Sequence, residues 1–120
     1  MMNIGRSEND RRLLNAITAT VSQVFPEMMV VDIPNAYNSI LFAQNTRNSL
    51  DNLRCNYEQL SSDSETPILL LETLSAALGN HKPVETDSAM IFTDDSAPVE
   101  IMTNQTIFGA FFSQDKKEEN

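Results

Sequence analysis

The sequence predicts an α/β domain built on a β-hairpin flanked by helices, and three observations carry that prediction. Two short, mostly apolar runs, Met28–Ile33 and Ile40–Ala43, flank a polar turn, Pro34-Asn35-Ala36-Tyr37-Asn38-Ser39. Apolar runs of this length between turn formers read as buried strands. The connection is too short for a helical crossover, so the two strands are expected to be antiparallel neighbours. Neither run alternates cleanly between apolar and polar, which predicts that both faces of the hairpin are covered. Finally, a helical pattern leads directly into the first strand, and a strand end, a helix and a strand in succession is an α/β arrangement.

In chain order, Met1–Gly5 reads as the last residues of a strand. Ser7 is suited to cap a helix whose positive end Glu8 and Asp10 complement. Leu13, Leu14, Ile17, Val21, Val24 and Phe25 fall on one helical face, and Pro26 ends the helix. After the hairpin, Thr46–Asn48 is a polar break, and Leu50, Leu53, Tyr57 and Leu60 recur at the spacing of a short amphipathic helix. Ser61–Glu65 is a loop. Pro67 stands where a third helix begins, Ile68–Leu71, Leu74, Ala77 and Leu78 form its apolar face, and Gly79 is its expected C-cap. Asn80–Ser88 is a polar connector and Ala89–Phe92 a short apolar piece. Ala97-Pro98-Val99-Glu100 opens a last helix, with Ile101, Met102, Phe108, Phe111 and Phe112 on or near its buried side. The expected organisation is a single α/β domain over residues 1–113 followed by a disordered charged tail, 114–120.

A length of 120 residues suits one domain with a modest core. The net charge of −9 and pI near 4.3 argue against a phosphate-neutralising nucleic-acid binder and disfavour an anionic membrane surface. No run reaches the roughly 18 apolar residues of a membrane span. Cys55 is the only cysteine and His81 the only histidine, so neither a disulfide nor a multi-thiolate metal site can form within the chain. A single thiol and a start without a signal-length apolar core suggest a cytoplasmic protein.

Val24-Phe25-Pro26 after a helix and before two strands, followed much later by Phe92-Thr93-Asp94-Asp95-Ser96-Ala97-Pro98-Val99-Glu100, resembles the C-terminal part of spermidine synthase-like proteins. These are aminopropyltransferases of the S-adenosylmethionine methyltransferase fold. The likeness spans roughly residues 1–112, although its specific parts are those two segments. It implies that this chain is the C-terminal portion of a Rossmann-like fold. Met1–Gly5 would be the tail of the fifth strand, Met28–Ile33 the sixth, and Ile40–Ala43 a seventh, antiparallel strand. It also implies that Tyr37, in a turn that lines the amine site of true aminopropyltransferases, would contact a polyamine substrate, and the neighbouring pair Asp94 and Asp95 could bind a cation or an amine.

The chain departs from that pattern in its chemistry. The family's Gly-rich cofactor loop, ribose-binding acid and catalytic aspartates have no counterparts, and Gly5, Gly79 and Gly109 are too dispersed to build such a loop. No cofactor and no catalytic residue is therefore expected, and no metal site. Two functions follow: a fragment or remnant of an aminopropyl- or methyl-transferring enzyme, inactive alone, or a non-catalytic binding or dimerisation module. The expected partners are a second copy of the chain or a missing N-terminal half. The remaining reactive residues have structural explanations. Asp94 and Asp95 suit a local helix cap, Cys55 a packed thiol, and His81 the negative end of the preceding helix.

Overall fold

The computed structural model describes residues 1–47, 49–86 and 90–115. Strand β1 (Met2–Gly5) leads into helix α1 (Arg12–Ser22), strand β2 (Glu27–Asp32) and strand β3 (Asn38–Gln44). Helices α2 (Leu50–Ser61) and α3 (Ile68–Gly79), the two-residue strand β4 (His81–Lys82) and helix α4 (Val99–Asp115) follow. The sheet has the order β1-β3-β2-β4 and every pairing in it is antiparallel. Strands β1 and β2 consequently run in the same direction, with β3 between them.

The hairpin forms as its sequence predicts. Met28 pairs with Ala43, Val30 with Leu41 and Asp32 with Ser39. Its turn is closed by Ile33 N–H donating to Asn38 C=O at 3.1 Å and Ala36 N–H to Ile33 C=O at 3.3 Å. Pro34 supplies a fixed φ, and Asn35 takes the left-handed conformation, φ 57°, that a turn of this kind requires at its third position.

The register sorts side chains between the two faces. Ile4, Val30, Asp32, Ser39 and Leu41 share one face, and α1 lies over it. Ile4, Leu13, Leu14, Val30 and Leu41 form the buried cluster, and Ile17, Val21, Met28, Val84, Phe92 and Met102 pack against its rim. Helix α1 brings its own polar groups into this core already satisfied, since the buried Thr18 hydroxyl donates to Leu14 C=O at 2.7 Å. Thr20 Oγ1 in turn accepts the Phe92 N–H at 2.8 Å, which ties the segment before α4 to α1. The opposite face carries Met29, Val31, Ile40 and Phe42. Val31 is buried, but Phe42 is exposed, so the expectation that both faces are covered holds only in part.

Several local expectations are corrected. Helix α1 begins at Arg12 with Arg11 at its cap position, not at Ser7, because Ser7 N–H bonds to Asp10 C=O and turns the chain before the helix starts. It ends at Ser22, so Val24 projects into solvent at 70% exposure. Pro67 occupies the cap position of α3, and Gly79 is its last helical residue, with Asn80 as C-cap. His81, two residues past the end of α3, pairs with Val31 in β4. Cys55 is exposed on α2 and does not pack. The part of the predicted tail at 116–120, residues 87–88 of the connector and 89 of the apolar piece lie outside the described residues, as do the side chains of Phe111 and Phe112. Gln114 and Asp115 belong to α4.

Helices α2 and α3 pack mainly on each other, and neither contains a buried residue. The molecule is flat, 46 × 43 × 19 Å. Its radius of gyration is 16.9 Å, against about 14 Å for a compact chain of this length.

A candidate anion site at the strand ends

Strands β1 and β2 both end at the same margin of the sheet, and the chain leaves them through Arg6 and Ile33. In open α/β sheets the carboxyl ends of like-directed strands are where ligand crevices form. A cavity of about 620 Å³ opens at this margin, walled by the post-β1 loop, the hairpin turn and the start of β4.

A buried ion-pair knot forms its floor. Asp32, the last residue of β2, receives Arg11 in a two-pronged contact, Nη1 to Oδ2 at 2.8 Å and Nη2 to Oδ1 at 3.2 Å. Arg6 lies 3.1 Å from the other side of the carboxylate through Nε, which also donates to Ser39 Oγ at 2.9 Å. The Ser39 hydroxyl donates to Asp32 Oδ1. Arg6, Asp32 and Ser39 are all buried. Burial works against ionisation of Asp32. The Arg11 hydrogen bonds, the Ser39 hydroxyl and the charges of Arg11 and Arg6 outweigh it and hold the carboxyl below its ordinary value.

The charges around this cavity do not cancel. Two guanidinium groups share one carboxylate. Lys82, held on the same face by its pairing with Val30, lines the cavity and makes no ion pair among the described residues. Glu8 is the other acid in the wall. Three cations therefore face two anions in a chain whose overall charge is −9. Arg11 and Arg12 also stand at the N-terminal end of α1, where the helix dipole disfavours positive charge. Arg12 is neutralised by Asp10, at 2.8 Å. The Asp10 carboxyl is lowered to about 2, chiefly by its hydrogen bond from Arg12, against the opposing effect of burial.

Tyr37 belongs to this cavity. It lies in the turn with its side chain exposed, and its carbonyl accepts the Arg6 N–H at 2.9 Å. Asp94 and Asp95 are placed elsewhere, at the tip of a tight turn closed by Thr93 and Ser96 and exposed to solvent. They do not line the cavity that holds Tyr37. They do not cap α4 either, which starts only at Val99. The knot was not expected from the sequence, because its members are separated by up to 33 residues. Its one local signal is a pair of arginines at a helix start without an acidic first turn.

A second groove, of about 730 Å³, runs between α1 and α4 and is more apolar, with Ala16, Val84, Met90, Ile101 and Met102 in its walls. Its cation, Arg12, is already committed to Asp10. No group of His, Cys, Asp or Glu among the described residues could hold a metal ion. Among them, no helix is long and apolar enough to cross a membrane. No protein-family model, curated protein or solved structure matches this chain.

Proposed function

We propose that this chain is the C-terminal portion of a spermidine synthase-like protein of the methyltransferase fold, and that by itself it is a binding and association module without transferase activity. The observation that carries the proposal is the unit β1-α1-β2-turn-β3, in which β3 is antiparallel to both other strands. That is the succession the resemblance assigns to the fifth, sixth and seventh strands. The absence of a Gly-rich turn and a ribose-binding acid from the sequence argues against cofactor binding, since such sites depend on that loop for orientation. Titration calorimetry with S-adenosylmethionine, its decarboxylated form and thioadenosine is expected to give no binding heat. Micromolar affinity for any of them would overturn the non-catalytic reading.

Association is part of the proposal. Ile68, Leu69 and Leu70 at the start of α3 are 70%, 71% and 41% exposed. A helix apolar on its outer side, in an arm without a fully buried residue, calls for a partner. The accessible surface is 8695 Å², whereas a compact monomer of this mass exposes about 6,500 Å². The excess, about 2,200 Å², is larger than the roughly 800 Å² per partner that a standard interface covers. A second copy is the simplest partner. A missing half of a transferase is the second reading, favoured by the open edge of β1, which pairs with β3 alone among the described residues. An in-frame upstream segment encoding a Gly-rich strand-loop-helix would select that second reading. A polyamine is the occupant that the resemblance implies for Tyr37, but the surplus of cations around Tyr37 argues against it.

A further inference from the structure

We infer that the cavity at the ends of β1 and β2 binds the oxyanion group of a small molecule, a carboxylate or a phosphate. This inference rests on the reading of the chain as a binding module and assigns that site its ligand class. Three observations converge on it. The knot beneath the cavity is electrically incomplete, because Asp32 alone answers both Arg6 and Arg11. A buried guanidinium is stable only with its donors and charge satisfied. Arg6 uses Nε on Ser39 and Asp32, and its terminal amino groups donate to no acceptor among the described residues, yet no buried side-chain nitrogen or oxygen among them lacks a partner, so those amino groups reach the solvent of the cavity that Arg6 lines. Lys82 adds a third cation at the same wall and makes no ion pair among the described residues. Finally, the cavity, at about 620 Å³, falls within the range of small-molecule sites.

The planar guanidinium of Arg6 suits a two-oxygen acceptor, and the Lys82 ammonium suits the same charge as a point partner. Glu8 lies on the rim and opposes an anion, so it limits affinity. A cationic ligand such as a polyamine would meet the same surplus with the opposite sign.

The test is an amide-resolved NMR titration of the full chain with inorganic phosphate, with succinate and with spermidine, each at ionic strength matched by sodium chloride. Phosphate or succinate is expected to shift the amides of Arg6, Asn35, Tyr37 and Lys82 saturably, and the stronger of the two identifies the oxyanion. Lys82→Ala, an exposed change that leaves the fold intact, is expected to weaken binding about tenfold, as loss of a charge-assisted contact does. Glu8→Gln is expected to tighten it about two- to fivefold, the scale of an exposed charge pair. Lack of saturation by both anions overturns the inference, as do shifts unchanged in Lys82→Ala or tighter binding of spermidine than of either anion. Any of those results leaves the family reading to the S-adenosylmethionine titration, which uses a different ligand and a different readout.

Discussion

Among the described residues, Asp32 and Asp10 are the two carboxylates whose ionised form the fold favours, Asp32 through Arg11, Ser39 and Arg6 and Asp10 through Arg12. Both ionise more readily in the folded chain than in the unfolded one, so folding is favoured by their charged forms. Their stabilisation is complete above the unfolded value of 3.8 and, for Asp10, is lost as the pH falls through about 2. Thermal melts are therefore expected to show Tm constant from neutral pH to just above 4 and declining below it. Asp32→Asn should melt lower at pH 7, because it leaves Arg6 buried without its counter-charge, and its decline in acid should be shallower. A variant with an unchanged acid slope would remove Asp32 from the group that responds to pH. Asp10 also receives the buried Thr106 hydroxyl at 3.2 Å, so the same titration bears on the docking of α4.

At the scale of elements, the hairpin is the part on which the others depend. Leu41 is fully buried and Val31 is 6% exposed, on opposite faces of the paired strands. A charge placed at either position has no partner, at a cost of several kcal/mol, comparable with the whole stability of a small domain. Val31→Asp and Leu41→Lys are each expected to unfold the chain or make it insoluble. Tyr37→Ala, at 55% exposure in the turn, is expected to cost about 1 kcal/mol or less. Melting curves of the three variants check the contrast, and tolerance of both strand substitutions would mean that the hairpin is not the core. The hairpin was legible because each of its signals is local: two apolar runs, a proline, and an asparagine able to take positive φ. Strand β4 was not legible. Two residues carry no pattern, and His81-Lys82 become a strand only because β2 offers its free edge. The start of α1 was misplaced because Ser7, Glu8 and Asp10 resemble a cap in composition, while the backbone bond from Ser7 to Asp10 turns the chain before the helix begins.

For the whole molecule, the flat outline and the bare α2–α3 arm determine what can be expected in solution. Sedimentation equilibrium is expected to find a dimer at about tens of micromolar, a range in which interfaces of modest size are occupied. Leu69→Lys with Ile68→Glu should return it to a monomer with Tm little changed, since exposed substitutions seldom alter stability by more than about 0.5 kcal/mol. A wild-type monomer in that range would remove self-association from the proposed function. The sequence by itself determined the α/β class, the order of the first elements, the hairpin with its turn, and the acidic character of the chain. Each of these follows from residues within a few positions of one another, or from composition. Only the tertiary structure decided which face of the hairpin α1 covers and that α3 stands exposed. The same holds for the gathering of Arg6, Arg11, Asp32, Ser39 and Lys82 at one margin of the sheet. Those outcomes depend on strand order and register, which bring together charges separated by dozens of residues, and no local pattern encodes that meeting.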